Sequence, residues 1–212
     1  MKPLSIAALL RSCGLVALLS LAACGGLLPK PPAAPTLHLL TGLAPAQSIP
    51  VEPAQSSLRI NAPQAAAGFD SRRIIYLREP YRLDYFAKHE WVDTPARMLA
   101  PLLQAALAAG GRFRVVSGAH SAANAEFSLD TELIRLQQDF SQSPSQVRAT
   151  LRASLLDNAT RKVLLSREFD ARSDAPSEDA KGGVIAANLA VQQILNELAQ
   201  APEFTRPERL LP

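Results

Sequence analysis

Between Phe127 and Phe169 the chain alternates between apolar and polar residues three times over. Phe127, Leu129, Thr131 and Leu133 alternate with Ser128, Asp130 and Glu132. Val147, Ala149, Leu151, Ala153 and Leu155 alternate with Arg148, Thr150, Arg152 and Ser154. Val163, Leu165, Arg167 and Phe169 begin a third run. A period of two sends successive side chains to opposite faces of a strand. Each run therefore has one face to bury and one to leave in water, as antiparallel strands covered on one side do. Asp157-Asn158-Ala159-Thr160 supplies the turn between the second and third runs. A chain patterned this way needs something to cover the apolar face.

The sequence offers two helices for that purpose. Asp93-Thr94-Pro95 is a helix start, with a capping side chain and a proline in the first turn. Met98, Leu99, Leu102, Leu103 and Ala106 make one apolar face, and Gly110-Gly111 ends the helix. Pro101 removes one helical hydrogen bond. A longer helix is expected over 177–200, with Ala180, Val184, Ala187, Val191, Ile194 and Leu198 at helical spacing. Gly182-Gly183 weakens its first turns. Upstream, Leu37-His38-Leu39-Leu40 and Leu58-Arg59-Ile60 are short strand candidates, as is 113–116, and 62–71 reads as a loop. Two apolar runs, 73–77 and 81–86, flank Glu79-Pro80 and predict a hairpin or a bent strand pair. The expected fold is α+β: a twisted antiparallel sheet with two main helices packed on one face. The domain is expected over residues 36–200, followed by a mobile C-terminal tail over 201–212.

The N-terminus carries a constraint of another kind. Lys2 and Arg11 precede an uncharged, mostly apolar run over 14–23, the length of a signal-peptide core and too short to span a bilayer. Leu21, Ala22, Ala23 and Cys24 then read as a lipobox. The expectation is that 1–23 is a lipoprotein signal peptide and that Cys24 becomes the first residue of the mature chain. Its thiol would carry a diacylglycerol, and two or three acyl chains on one residue anchor stably in a membrane. The alternative is a soluble secretory signal with a chance cysteine. Cys13 follows Arg11-Ser12, a poor lipobox, and leaves with the signal. Residues 24–35 contain Pro29, Pro31, Pro32 and Pro35 and predict an extended, semi-rigid tether. A second loose stretch, 41–57, contains Pro45, Pro50 and Pro53. Removing Lys2 and Arg11 lowers 22 Lys+Arg to 20, against 19 Asp+Glu. Bulk charge then makes little case for a nucleic-acid partner. No thiol is left for a disulfide, so stability rests on packing.

Little in the chain points to catalysis. His38, His89 and His120 have no metal-ligand spacing to one another or to a carboxylate cluster, and no metal or cofactor is expected. No G-x-S-x-G and no nucleotide phosphate loop is present. Ser117 and His120 are close in sequence, but catalytic partners meet through the fold. Asp130 and Glu132 share one strand face, with Arg148 and Arg152 on the matching face of the next strand, and read as a solvated, ion-paired surface. The chain is not expected to be an enzyme. One segment is less bland: Arg78, Tyr81, Arg82, Tyr85, Phe86, His89 and Trp91 crowd into fourteen residues of a chain with 5% aromatics. Alternation puts Tyr81, Leu83 and Tyr85 on one face and Arg82, Asp84 and Phe86 on the other. Two readings follow. The first set is core, with Trp91 filling a gap beside the helix; or Tyr81, Arg82, Tyr85 and Trp91 face a partner, since these residue types are favoured interface anchors.

The same segment carries a resemblance. Ile75-Tyr76 to Phe86, then Trp91, then Thr94-Pro95-Ala96-Arg97-Met98-Leu99, resembles the ABC-type transport auxiliary lipoproteins. In that family a tyrosine-rich strand segment leads to a tryptophan, a proline and a helix. The early strand, the closing antiparallel strands and the long last helix also fit, so the likeness covers about 36–200. Glu90 departs from it, standing where many relatives carry a basic residue. The resemblance implies a non-catalytic lipoprotein adaptor at the outer membrane, on its periplasmic face. Its partner would be a periplasmic mammalian-cell-entry (MCE) domain protein, part of a system moving phospholipids or other hydrophobic molecules between membranes. An inner-membrane ABC permease and ATPase, both separate chains, would supply the energy. Gly25-Gly26 puts no Asp after Cys24, which in similar lipoproteins favours the outer membrane. A ring-shaped partner would be matched by a homo-oligomeric ring. Three alternatives stand beside it. One is a cell-envelope assembly lipoprotein docking a different outer-membrane or secretion machine. Another is a periplasmic enzyme, which needs a deep pocket with convergent polar groups. The third is a lipid carrier, which needs an internal apolar cavity.

Overall fold

The computed structural model describes residues 33–41 and 56–205, and the domain begins at Pro35. Leu21, Ala22, Ala23 and Cys24, most of the 24–35 tether and residues 206–212 lie outside the described residues. The strands are β1 (Thr36–His38), β2 (Ser57–Ile60), β3 (Gln64–Ala65), β4 (Arg73–Glu79), β5 (Arg82–Trp91), β6 (Val115–Ser117), β7 (Phe127–Asp139), β8 (Gln146–Asp157) and β9 (Lys162–Asp174). The helices are α1 (Pro95–Ala109), α2 (Ala180–Gln200) and the single turn α3 (Pro202–Thr205). The fold is α+β, with one nine-stranded sheet and two main helices.

Strand β7 organises the sheet. Its thirteen residues span roughly 43 Å at strand rise. One of its edges pairs antiparallel with β8 from Phe127↔Asp157 to Asp139↔Gln146, and β8 pairs in the same way with β9. Three short strands tile the other edge in succession, all parallel to β7. They are β2 at Phe127–Leu129, β3 at Glu132 and Leu133, and β4 at Gln137–Asp139. Beyond β4 come β5, antiparallel, and then β1, parallel; beyond β2 comes β6, also parallel.

The sheet is therefore mixed, not antiparallel throughout as the alternation suggested. Alternation reports which face a residue occupies and carries no information on strand direction. Parallel neighbours need crossover connections, and α1 supplies the crossover between β2 and β6. The alternation in β7 also breaks after Leu133, where a bulge shifts the register, so that Leu133 and Leu136 both face inward.

The inner face is closed by both helices. Leu129, Leu133, Leu151, Leu155 and Phe169 meet Leu99, Leu103 and Leu107 of α1 and Val191, Ile194 and Leu198 of α2 in one core cluster. Ala149 and Ala153 on β8 and Ala186 and Ala190 on α2 are all fully buried. Small side chains on both surfaces let the helix lie close to the sheet. Helix α2 starts at Ala180 rather than 177, because the Asp179 carboxylate accepts the Gly182 N–H at 2.8 Å and caps it. Its two glycines are a packing requirement. A Cβ on Gly183 would run into Oε1 of the buried Gln138, and one on Gly182 into the Ser177 carbonyl. The Gln138 amide in turn donates to Ser145 at 2.9 Å.

Of the tail expected over 201–212, the described residues 201–205 pack on the domain. Ala201 and Phe204 are buried, and the Phe204 ring lies 5.7 Å from that of Phe169. Arg167 forks onto Glu203, at 2.7 Å, and Glu197. One aromatic side chain four residues past the long helix supplies enough buried area to hold α3 down.

Two stability measurements check this account. Gly183→Ala should lower unfolding free energy by about 1–3 kcal/mol through overpacking against Gln138, read from urea melts. Phe204→Ala should cost about 3–5 kcal/mol; a cost near zero would restore the mobile-tail reading.

Candidate functional site

The aromatic and basic segment forms the β4–β5 hairpin and its surroundings. Residues 80 and 81 make the tip, and Glu79 pairs with Arg82. The two faces have different fates. Tyr76 and Phe86 pack together at 4.7 Å and meet Phe140 edge-on, and Phe86 in turn meets His89. Arg78 lies over the Phe140 ring at 4.9 Å. These rings join the hairpin to the segment after β7. The opposite face carries Leu83 and Tyr85, both about half exposed.

The structure splits the four candidate interface residues. Tyr81 is fully exposed and sits at φ 66, in the left-handed region that side chains other than glycine rarely adopt. Tyr85 is 47% exposed, with the Arg73 guanidinium stacked 4.0 Å over its ring. Arg82 is exposed but braced: it donates to Glu79 at 2.7 Å and to Asp84 at 3.1 Å. The Asp84 hydrogen bond, followed by the Asp84 and Glu79 charges, raises its pKa above the ordinary arginine value. Its position is thereby set, and much of its charge is met within the hairpin.

Trp91 does not belong with them. It is 2% exposed, at the far end of β5, in the core. Its N–H donates to the Arg72 carbonyl at 2.8 Å, and its carbonyl accepts from Arg72 Nε at 3.0 Å. Trp91 is core, as the first reading has it, while Tyr81, Leu83 and Tyr85, which that reading also placed in the core, are at the surface. Alternation could not separate them, because it does not say how far along β5 the inner core reaches. Glu90 forms an ion pair with Arg72 at 3.4 Å, which accounts for an acidic residue at that position.

One constellation was missed. His38 Nε2 and His89 Nδ1 lie 3.0 Å apart across the β1–β5 pair. They are 51 residues apart in sequence, so no local spacing could have announced them. Burial, then the charge of His89, pushes the His38 pKa below its ordinary value. Among the described residues, no group of three or more His, Cys, Asp or Glu is placed to hold a metal ion. His120 lines an open-sided cleft of about 810 Å³ between α1 and the loops after β2 and β6. Ile60, Pro63, Pro101 and Gln104 also line it, along with the Asp93–Arg97 ion pair. Ser117 bonds instead to the Leu58 carbonyl.

On the charged outer face the sequence reading holds. Arg152 pairs with Glu132 at 2.7 Å and Glu168 at 2.6 Å. Arg148 pairs with Asp170 at 2.8 Å, and Asp130 accepts from Asn61 at 2.6 Å.

Two tests belong to these residues. Trp91→Ala should destabilise the domain by about 3–5 kcal/mol, whereas Tyr85→Ala should change stability by less than about 1 kcal/mol. A lowered His38 pKa means the unfolded chain binds the proton more tightly than the folded one. Its contribution is therefore full above about pH 6.5 and is lost as pH falls through the folded value. Melting temperature should drop from pH 7.5 to pH 5 by less in His38→Gln than in the parent.

A crystal structure of a Xanthomonas campestris protein is similar over 80% of this chain and 96% of its own, with 24% identity and a TM-score of 0.68. A structure of an uncharacterised protein matches over 79% and 98%, with 10% identity and a TM-score of 0.62. These likenesses concern the fold. PelC from Paraburkholderia phytofirmans, a dodecamer, is more distant, with 16% identity, coverage of 74% and 92% and a TM-score of 0.40. No curated protein matches the chain. The family model for the ABC-type transport auxiliary lipoprotein component matches residues 38–199, which span β1 to α2. The chain belongs to that family of lipoproteins, whose members serve ABC transport systems as auxiliary components.

Proposed function

We propose that the protein is a non-catalytic adaptor, anchored by lipid at Cys24 to the periplasmic face of the outer membrane. It would dock a periplasmic MCE-domain protein in an ABC-driven system for phospholipids or other hydrophobic molecules. Family membership supports the transport context, and the lipobox supports the anchor. Within the described residues no helix is long and apolar enough to cross a membrane.

The observation that carries the docking role is Tyr81. A turn at positive φ is most easily made by glycine or asparagine, and a fully exposed ring contributes nothing to the core. An aromatic held in an unfavourable conformation and wholly in water is free to anchor a partner. Arg82, fixed by Glu79 and Asp84, and Tyr85, stacked under Arg73, extend that surface along β5. A homo-oligomeric ring would present one such tip per subunit to a ring-shaped partner.

Replacing Tyr81 by glycine separates folding from docking. Tyr81→Gly should leave the melting temperature unchanged or raise it, because the backbone strain is relieved. It should weaken partner capture by about tenfold or more, as loss of an interface anchor does. The partner is identified by placing a photocrosslinking side chain at position 81 in cells. Recovery of an MCE-domain protein supports the proposal. Recovery of a different outer-membrane or secretion machine replaces it with the envelope-assembly reading.

A further inference from the structure

The contact between His38 and His89 takes no part in the docking surface. It joins β1, a three-residue strand at the edge of the sheet, to its neighbour β5. Thr36, Leu37 and His38 stand opposite His89, Glu90 and Trp91. The Val92 N–H donates to the His38 carbonyl at 2.8 Å. Among the described residues, the one side-chain hydrogen bond between these two strands is that of His38 Nε2 with His89 Nδ1, at 3.0 Å. The rings lie 5.2 Å apart between centroids, and both are half-buried.

A bond between two ring nitrogens needs one proton and one lone pair. Two neutral rings satisfy it, and so does an imidazolium donating to a neutral neighbour. Two imidazolium rings do not: their N–H groups would stand head to head at this distance, with like charges and no acceptor. With β1 on the sheet, the pair therefore takes up at most one extra proton. With β1 off the sheet, each ring takes its own, as exposed histidines do below about pH 6.5. Among the described residues neither ring bonds to a carboxylate that would hold the second charge. The charged residues on the surrounding elements are Lys88 and Glu90 in β5, Arg72 and Arg73 at the start of β4, and Lys181 in the first turn of α2. Glu90 is paired with Arg72, and Arg73 is stacked on Tyr85. The His38 proton is disfavoured by burial and then by the charge of His89, and by no other group.

The next residues are held by groups that do not titrate. Asn188 of α2 donates to the Leu39 carbonyl at 3.1 Å and accepts from the Thr41 N–H at 2.6 Å, and Leu40 is buried. Acid thus acts on Thr36–His38 and not on the chain beyond. We propose that the His38–His89 contact is an acid-released latch: at neutral pH it holds β1 on β5, and protonation of both rings lets β1 leave the sheet edge as far as Leu39. The released state binds one proton more than the latched state, so release is favoured as pH falls below about 6.5. One extra proton multiplies the opening equilibrium by up to about tenfold per pH unit. The latch operates whether or not Cys24 is acylated. Its effect on reach rests on that anchor: three released residues lengthen the 24–35 tether by about 10 Å at strand rise.

The experiment is amide hydrogen exchange on the full chain in detergent from pH 7.5 to pH 5, corrected for the intrinsic pH dependence of exchange. The Val92 amide loses its partner when β1 leaves. The Thr41 amide reports on the Asn188 bridge, and the Leu151 amide, in the middle of β8, reports on the whole domain. Protection at Val92 should fall by about tenfold or more between pH 7.5 and pH 5, with Thr41 and Leu151 unchanged. In the double variant His38→Gln, His89→Gln, protection at Val92 should be flat over the same range. Protection of Leu151 at pH 7.5 checks that this variant is folded. His89→Gln alone is the second variant; it removes the facing charge and should lose most of the fall. A parent whose Val92 protection does not change with pH overturns the latch. An equal fall in the glutamine variants overturns it too, because other groups would then carry the effect. A joint fall at Val92, Thr41 and Leu151 means that acid opens the domain as a whole, which overturns a latch confined to β1.

Discussion

The pairing of both edges of β7 is the constraint on which the rest of the domain depends. One edge is taken along its length by β8, which leaves only the other for every element from the first half of the chain. β2, β3 and β4 are short because they share that edge end to end, and they are parallel because each enters it from the same side. The bulge after Leu133 rotates the strand by one residue, so that Leu136 and Gln138 continue the buried face. Gln138 then meets Gly183 and Ser145, fixing where α2 begins. A single strand thus sets the tiling on one side, the antiparallel ladder on the other and the seat of the long helix.

The exposed features follow from where that arrangement runs out of cover. α1 and α2 close the inner face over β7, β8 and β9. The β4–β5 lobe extends beyond them, so it secures one side with its own cluster of Tyr76, Phe86 and Phe140 and leaves the other to water. The outer face of β7, β8 and β9 is dressed differently, with arginines answered by carboxylates in neighbouring strands. Those charges are spent on one another, while the rings of Tyr81 and Tyr85 have no apolar partner in the core. Uncharged, unburied aromatic surface is where a partner gains most by excluding water.

Much of this was readable from residue order. The three alternating runs placed β7, β8 and β9, the Asp93-Thr94-Pro95 start placed α1, and apolar spacing placed α2. The ion pair of Arg152 with Glu132 followed from alternation and adjacency. What escaped the sequence was long-range. Strand direction, the His38–His89 bond and the burial of Trp91 beside an exposed Tyr85 each depend on which segment arrives next to which. The reason for Gly182 and Gly183 was hidden in the same way: glycine reads as weakness in a helix until the carbonyl and the amide that need the space are seen. Phe204 was lost among charges and prolines because a lone apolar residue has no period.

The tiling of β7 also orders events in time. A ribosome makes β1 through β6 before the strand whose edge β2, β3 and β4 require. The β4–β5 hairpin can close on its own contacts, but β2 and β3 have no ladder to join until residue 127 and beyond have emerged. β7, β8 and β9 are successive in the chain and pair through short turns, so they close quickly once made. The C-terminal half is accordingly the template, and the N-terminal half waits for it, an interval in which the first strands have backbone groups to satisfy and only solvent or a chaperone to satisfy them.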